Sequence, residues 1–291
     1  MKSGLDWKEE IRKEIEEGIN KLIDESAKEL DKLKKRHEKK RAHFMPAHLR
    51  VLGGYLQSLN IRYGGFIEKE IENVIRILSK NNLTRLNVVQ EYSGRTKSLK
   101  LEENSRKAID DYVGEGKIQH KASEGEFSDL LKKIFKYQAS TEGKFESRKL
   151  DVNLLMRDRD SNHYYYIEVK YCDDHDTGKF VSINRKFLYT FAGLIHELWI
   201  RGKIHDEDDI IPILYYFDDG LKKYENVFLI EGTLIEGTNE LKGNVLRGKK
   251  LFELFGVPEA YDVIISAINP KNYEDKIKGT IGNLIGYSLF S

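Results

Sequence analysis

Between Lys149 and Lys170 the sequence KLDVNLLMRDRDSNHYYYIEVK sets two carboxylates and an ammonium into apolar runs that would otherwise build a core. Leu150, Val152, Leu154 and Met156 alternate with Asp151 and Asn153, while Tyr164, Tyr166, Glu168 and Lys170 share one face of a second run. Both runs read as strands. Asp158, Arg159, Asp160 and Ser161 are turn formers. A four-residue loop there sets Arg157 opposite Asn162 and, in the same register, Asp151 opposite Glu168. Facing Cβ atoms are about 5 Å apart. Carboxylates that close repel unless a shared proton or a cation intervenes, and a hard divalent ion with oxygen ligands meets that need. Lys170, two residues past Glu168, points the same way. Such a set suits phosphodiester hydrolysis, in which the ion polarises the phosphoryl oxygen and acidifies the attacking water. The ammonium would orient that water or stabilise the developing charge. The competing interpretation is an exposed hairpin with Glu168 and Lys170 on its wet face and Asp151 an ordinary surface residue.

The order Asp151, sixteen residues, then Glu168-Val169-Lys170 resembles the active-site motif of the PD-(D/E)xK nuclease superfamily, and especially its type II restriction endonucleases. Leu150 stands where the familiar motif has proline. Glu-x-Lys also begins at Glu38, Glu115, Glu142, Glu240 and Glu274, but only the copy at Glu168 follows an unbroken β-type run, Tyr164-Tyr165-Tyr166-Ile167. The resemblance implies that Asp151, Glu168 and the carbonyl of Val169 bind Mg2+ and that Lys170 positions the water. It also implies a helix that lends a further glutamate to the acidic cluster: Glu68 matches that residue, with Glu72 as the substitute. The stretch Gly64-Gly65-Phe66-Ile67-Glu68, taken with Thr177-Gly178-Lys179 and Asn184-Arg185-Lys186, has the look of enzymes that cut GGNCC-type sites.

These residues need elements to hold them. Leu5 to His43 is helical, with Trp7, Ile11, Ile15, Ile19, Leu22 and Ile23 on one stripe. After Pro46 a second helix covers Leu49 to Leu59, and Gly64-Gly65 open a third with Phe66, Ile67, Ile71, Val74, Ile75 and Leu78 inward. Residues 81–126 read as loops and short strands rich in Arg and Lys, among which Arg95 and Lys97 are candidate DNA contacts. Ser128 to Tyr137 is a short helix. Cys172 to Lys179 is a solvated turn whose clustered polar residues are too close together to ligate one ion. Lys179, Arg185 and Lys186 near the next helix start are placed to hold phosphate. Asn184 to Arg201 is the strongest helix and should pack on the catalytic sheet. Ile210 to Tyr216 and Val227 to Ile235 are strands, Leu246 to Phe255 a helix, Tyr261 to Ala267 a last buried strand, and Lys271 to Leu289 helical in part. The expectation is an α/β fold with a restriction-endonuclease-like core, a central mixed β-sheet flanked by helices, and a helical N-terminal extension. It divides into residues 1–60 and a nuclease domain of 61–291.

Composition adds limits. Lys plus Arg number 49 against 48 Asp plus Glu, so the net charge of +1 gives no global attraction to nucleic acid, and any basic surface is local. Cys172 is the only cysteine, which rules out an internal disulfide and suits the cytoplasm. No apolar run approaches the roughly 20 residues of a membrane helix. The resulting expectation is a Mg2+-dependent type II restriction endonuclease acting on double-stranded DNA. A homodimer suits palindromic sites, and a cognate DNA methyltransferase would belong to the same system. The alternatives are a repair or junction nuclease of the same superfamily, and a non-catalytic DNA-binding or helical interaction protein.

Overall fold

A computed structural model of the chain describes residues 6–38, 47–116, 123–171, 177–218, 229, 231–234 and 241–286. In chain order the elements are α1 (Trp7–Glu38), α2 (Ala47–Lys80), β1 (Leu86–Val88), β2 (Arg95–Glu102), α3 (Glu103–Gly116), α4 (Glu124–Gln138), β3 (Phe145–Val152), β4 (Leu154–Asp158), β5 (Tyr164–Lys170), α5 (Thr177–Ile200), β6 (Ile210–Tyr216), β7 (Thr233–Leu234), β8 (Leu241–Lys242), β9 (Val245–Arg247), α6 (Lys250–Leu254), α7 (Glu259–Ala267) and α8 (Glu274–Gly286). They form two compact units: Met1–Ile77 with Glu259–Ser291, and Leu78–Pro258. Residue 60, where the sequence suggested a boundary, lies inside α2.

The first unit is helical. Ile11, Ile15, Ile19, Leu22 and Ile23 of α1 are buried, and α1 packs against α7. The run Tyr261 to Ala267, expected as a strand, belongs to α7: Ala260, Val263, Ile264 and Ala267 are its buried positions, spaced three and four apart. A short apolar run carries no decisive period, so its neighbours settle its conformation. The two helices expected on either side of Gly64-Gly65 are likewise one continuous α2. Glycine costs about 1 kcal/mol in a helix interior; the buried Val51, Tyr55, Phe66, Ile67, Ile71 and Val74 along one helix outweigh that.

Glu70 of α2 is buried among these apolar side chains. Burial raises its carboxyl to about 7; the hydrogen bond from Asn73 opposes the shift, and nearby Glu14 adds to it. α1 presses close here, since a Cβ added to Gly18 would lie 2.8 Å from Glu70 Oε1. With its folded pKa raised, Glu70 contributes fully to stability below about pH 4.5, and the contribution fades as pH rises through 7. Glu70→Gln should therefore gain stability relative to the native chain as pH goes from 5 to 8, by about 3 kcal/mol at the top. Urea titrations of both proteins across that range would check it, and a constant difference would contradict it.

The second unit contains a mixed sheet in the order β1-β4-β5-β6-β9. β4 is antiparallel to both β1 and β5, while β5, β6 and β9 run parallel. β6 spans Ile210–Tyr216 as its β-branched and aromatic composition predicts. α5 covers one face, burying Phe187, Leu188, Phe191, Ala192, Leu194, Ile195 and Leu198. Residues 81–126, expected as loops and short strands, instead include the eight-residue β2 and the fourteen-residue α3. β2 and β3 make a separate two-stranded ribbon. This ribbon seats directly on α5: a Cβ at Gly193 would lie 2.6 Å from Leu99 Cβ, a distance that only glycine permits.

The expected helix Leu246 to Phe255 begins too early, because Val245–Arg247 adds to the sheet as β9. Gly248, with φ of 51°, then turns the chain into the short α6. Of the expected strand Val227 to Ile235, Thr233–Leu234 is β7; residues 227, 228, 230 and 235 lie outside the described residues, as do 172–176 of the polar turn.

Candidate active site

β5 brings Glu168 and Lys170 to the face of the sheet that α5 covers, as period-two alternation requires. Tyr166 lies on that same face, fully buried and stacked on Phe187 at 5.4 Å between centroids. Its hydroxyl donates to Glu168 Oε2 at 2.9 Å. Lys170 Nζ lies 2.7 Å from Glu168 Oε1 and donates to the Val169 carbonyl at 2.9 Å. The Glu168 side chain is 1% exposed, so in this dry setting its charge needs these partners.

Asp151 arrives by another route than expected. The β4–β5 register pairs Arg157 with Tyr164, not Asn162. The Asp158 N–H bonds to the His163 carbonyl at 2.8 Å, so the four-residue loop is Arg159 to Asn162, one position later than the turn formers suggested. The strand holding Asp151 also leaves the sheet. β3 ends at Val152, and Thr96 of β2, not Glu168, is opposite Asp151. Asn153 makes the joint: its Oδ1 accepts the Val169 N–H at 3.1 Å. Ser93 completes it, with its hydroxyl accepting from the Leu155 N–H and donating to the Leu155 carbonyl.

The two acids nevertheless meet at one cation. Lys186 Nζ, from α5, lies 3.5 Å from Asp151 Oδ2 and 3.6 Å from Glu168 Oε1. Asp151 Oδ1 accepts from the Thr96 hydroxyl at 2.5 Å. That hydrogen bond, with help from the Lys186 and Lys170 charges, holds its carboxyl below the usual range despite some desolvation.

Asp151, Glu168 and the Val169 carbonyl thus converge on two ammonium groups. Hard oxygen donors gathered around positive charge are a fitting set for Mg2+. Among the described residues no group of three or more His, Cys, Asp or Glu side chains could hold a metal ion, and this set brings two carboxylates and one carbonyl. Glu68 is half-buried on α2, in the other unit, and Glu72 pairs with Arg76 on its own helix.

The remaining candidates fall in several places. Arg185 Nε is 2.9 Å from Asp110 Oδ1, and Tyr189 donates to the same oxygen at 2.7 Å. Lys97 lies over the Tyr92 ring. Arg95 is exposed at the start of β2. The Lys179 side chain lies outside the described residues. The ribbon's outer face, where the pairs Thr96–Asp151, Ser98–Lys149 and Lys100–Ser147 are all exposed, was not expected. A period-two reading that extended β3 back through Lys149 and Ser147 would have found half of it.

Comparison with known proteins identifies the family. The family model described as type II restriction endonuclease, HinfI, matches residues 6–271. The chain is 32% identical to the type II restriction enzyme HinfI of Haemophilus influenzae over 274 residues, which is 93% of this chain and 94% of that enzyme. No solved structure matches it significantly. A match that runs across both units places the chain in the HinfI family of type II restriction endonucleases.

Proposed function

We propose that this type II restriction endonuclease hydrolyses a phosphodiester in each strand of a short DNA site, using Mg2+ held by Asp151, Glu168 and the Val169 carbonyl. The observation that carries this reading is the convergence of those three oxygen donors on the ammonium groups of Lys170 and Lys186. Bound Mg2+ supplies a Lewis acid for the phosphoryl oxygen and lowers the pKa of the attacking water. Tyr166 orients Glu168 through its hydroxyl, and Thr96 orients Asp151 in the same way. Lys170 holds the water at its Nζ and offsets negative charge as the phosphorus is attacked. The enzyme acts in the cytoplasm as a homodimer matched to a two-fold symmetric site, beside a methyltransferase that protects the host's copies.

DNA enters along the ribbon. A two-stranded β-ribbon fits the major groove, and this one carries Lys100 and Lys149 outward from Asp151. The double variant Lys100→Gln with Lys149→Gln should bind DNA more weakly, with a log–log salt slope shallower by about 2. Fluorescence anisotropy in Ca2+ at several salt concentrations would measure it; an unchanged slope would place the phosphates elsewhere.

The direct test is plasmid and genomic DNA incubated with Mg2+ or with chelator, beside an Asp151→Asn variant. Discrete fragments that require Mg2+ and disappear in the variant support the proposal. Intact DNA throughout, or cutting that survives chelation, refutes it.

A further inference from the structure

Lys186 lies on the side of α5 next to Phe187, which is fully buried and stacked on Tyr166, so its backbone is anchored to the site. Its ammonium is within ion-pair distance of Asp151 Oδ2 and Glu168 Oε1, the oxygens assigned above to the divalent ion. A cation ligated by both acids would sit about 2.0 to 2.6 Å from each oxygen. A second cation in the same gap would be strongly repelled.

Building on that assignment, we infer that Lys186 and the divalent ion compete for the same two carboxylates. Lys186 is the built-in counter-ion that offsets the charge of Asp151 and Glu168 while no divalent ion is bound, and it must swing out when the ion enters. Lys170 stays. Its contacts are 2.7 and 2.9 Å, against 3.5 and 3.6 Å for Lys186. Its side chain is 17% exposed, while that of Lys186 is 37% exposed and has solvent to move into. Only the flexible stem of Lys186 has to rearrange, because its Cα is held by the helix.

Competition has a sign that other roles lack. A lysine serving DNA phosphates alone leaves ion affinity unchanged when removed in the absence of DNA. A lysine that simply braces the site loses ion affinity, because the carboxylates move apart. A competitor gains it.

The test is calorimetric titration of Mn2+ into the DNA-free full-length protein. Lys186→Met should bind at least about fivefold more tightly than the native chain, whereas Lys186→Arg keeps the charge and stays near native affinity. Lys186→Gln, neutral but polar, gives the same reading should the methionine variant fold poorly. Asp151→Asn must weaken binding in parallel. With that control in place, unchanged or weaker binding by the neutral Lys186 variants overturns the inference. If Asp151→Asn binds Mn2+ like the native chain, the ion lies elsewhere and the underlying assignment fails as well.

Discussion

Lys170→Met should slow DNA cleavage by about 10²- to 10³-fold while leaving a folded protein that still binds DNA. Two observations set this expectation. Nζ lies between Glu168 Oε1 and the Val169 carbonyl, within reach of any water activated there. Its charge is also the nearer of the two cations at Glu168. Methionine preserves much of the stem's packing but removes the donor and the charge. Glu168 then keeps the Tyr166 hydroxyl and the longer Lys186 contact, so the loss of stability is about 1–3 kcal/mol, the scale for a weakened buried polar group. Single-turnover cleavage with Mg2+, beside binding in Ca2+ and a melting curve, separates these effects. A rate within threefold of the native chain would remove Lys170 from the chemistry; loss of DNA binding in equal measure would give it a binding role instead.

The second large effect is structural. Asp158→Ala should destabilise the second unit by about 3 kcal/mol. Asp158 is fully buried at the end of β4. Its Oδ1 accepts the Asp160 N–H at 2.9 Å, and its Oδ2 lies 2.8 Å from Arg85 Nε in an ion pair rather than an aligned hydrogen bond. Arg159 ties the same loop to the carbonyls of Thr84 and Arg85. Alanine leaves the loop amides and Arg85 without their acceptor. Arg85 is partly exposed and regains water, which keeps the cost below that of a wholly buried pair. The urea midpoint should fall with its slope unchanged, and cleavage in the cold should stay near native. A midpoint shift under 1 kcal/mol would show that the turn closes without the carboxylate.

Much of this arrangement was legible in the sequence because it is local. The charges on β5 stood out against their apolar surroundings, α1 and α5 declared themselves by period, and β6 by its β-branched and aromatic run. What stayed hidden depends on distant partners. The loop after Asp158 closes one residue later than its composition suggests, and β3 pairs with β2, some fifty residues earlier, instead of continuing into the sheet. Asp151 was expected opposite Glu168 on one ladder; it lies opposite Thr96 instead, and what it shares with Glu168 is an ion-pair partner, Lys186. Gly64 and Gly65 carried the likeness to GGNCC-cutting enzymes, yet both lie mid-helix in α2 with open space around them. α7 was misread because a seven-residue apolar run has no conformation of its own.

Asn153 has a consequence that reaches beyond this chain. Its side chain takes over a pairing that the backbone would otherwise owe to Val169, so the polypeptide can leave one sheet for another without stranding a buried amide. The five-stranded sheet keeps its register whatever the ribbon's outer face carries. Ser98, Lys100, Ser147 and Lys149 can thus be exchanged for other side chains while Glu168 and Lys170 stay where they are. The joint lets the ribbon's outer face drift in sequence without rebuilding the sheet behind it.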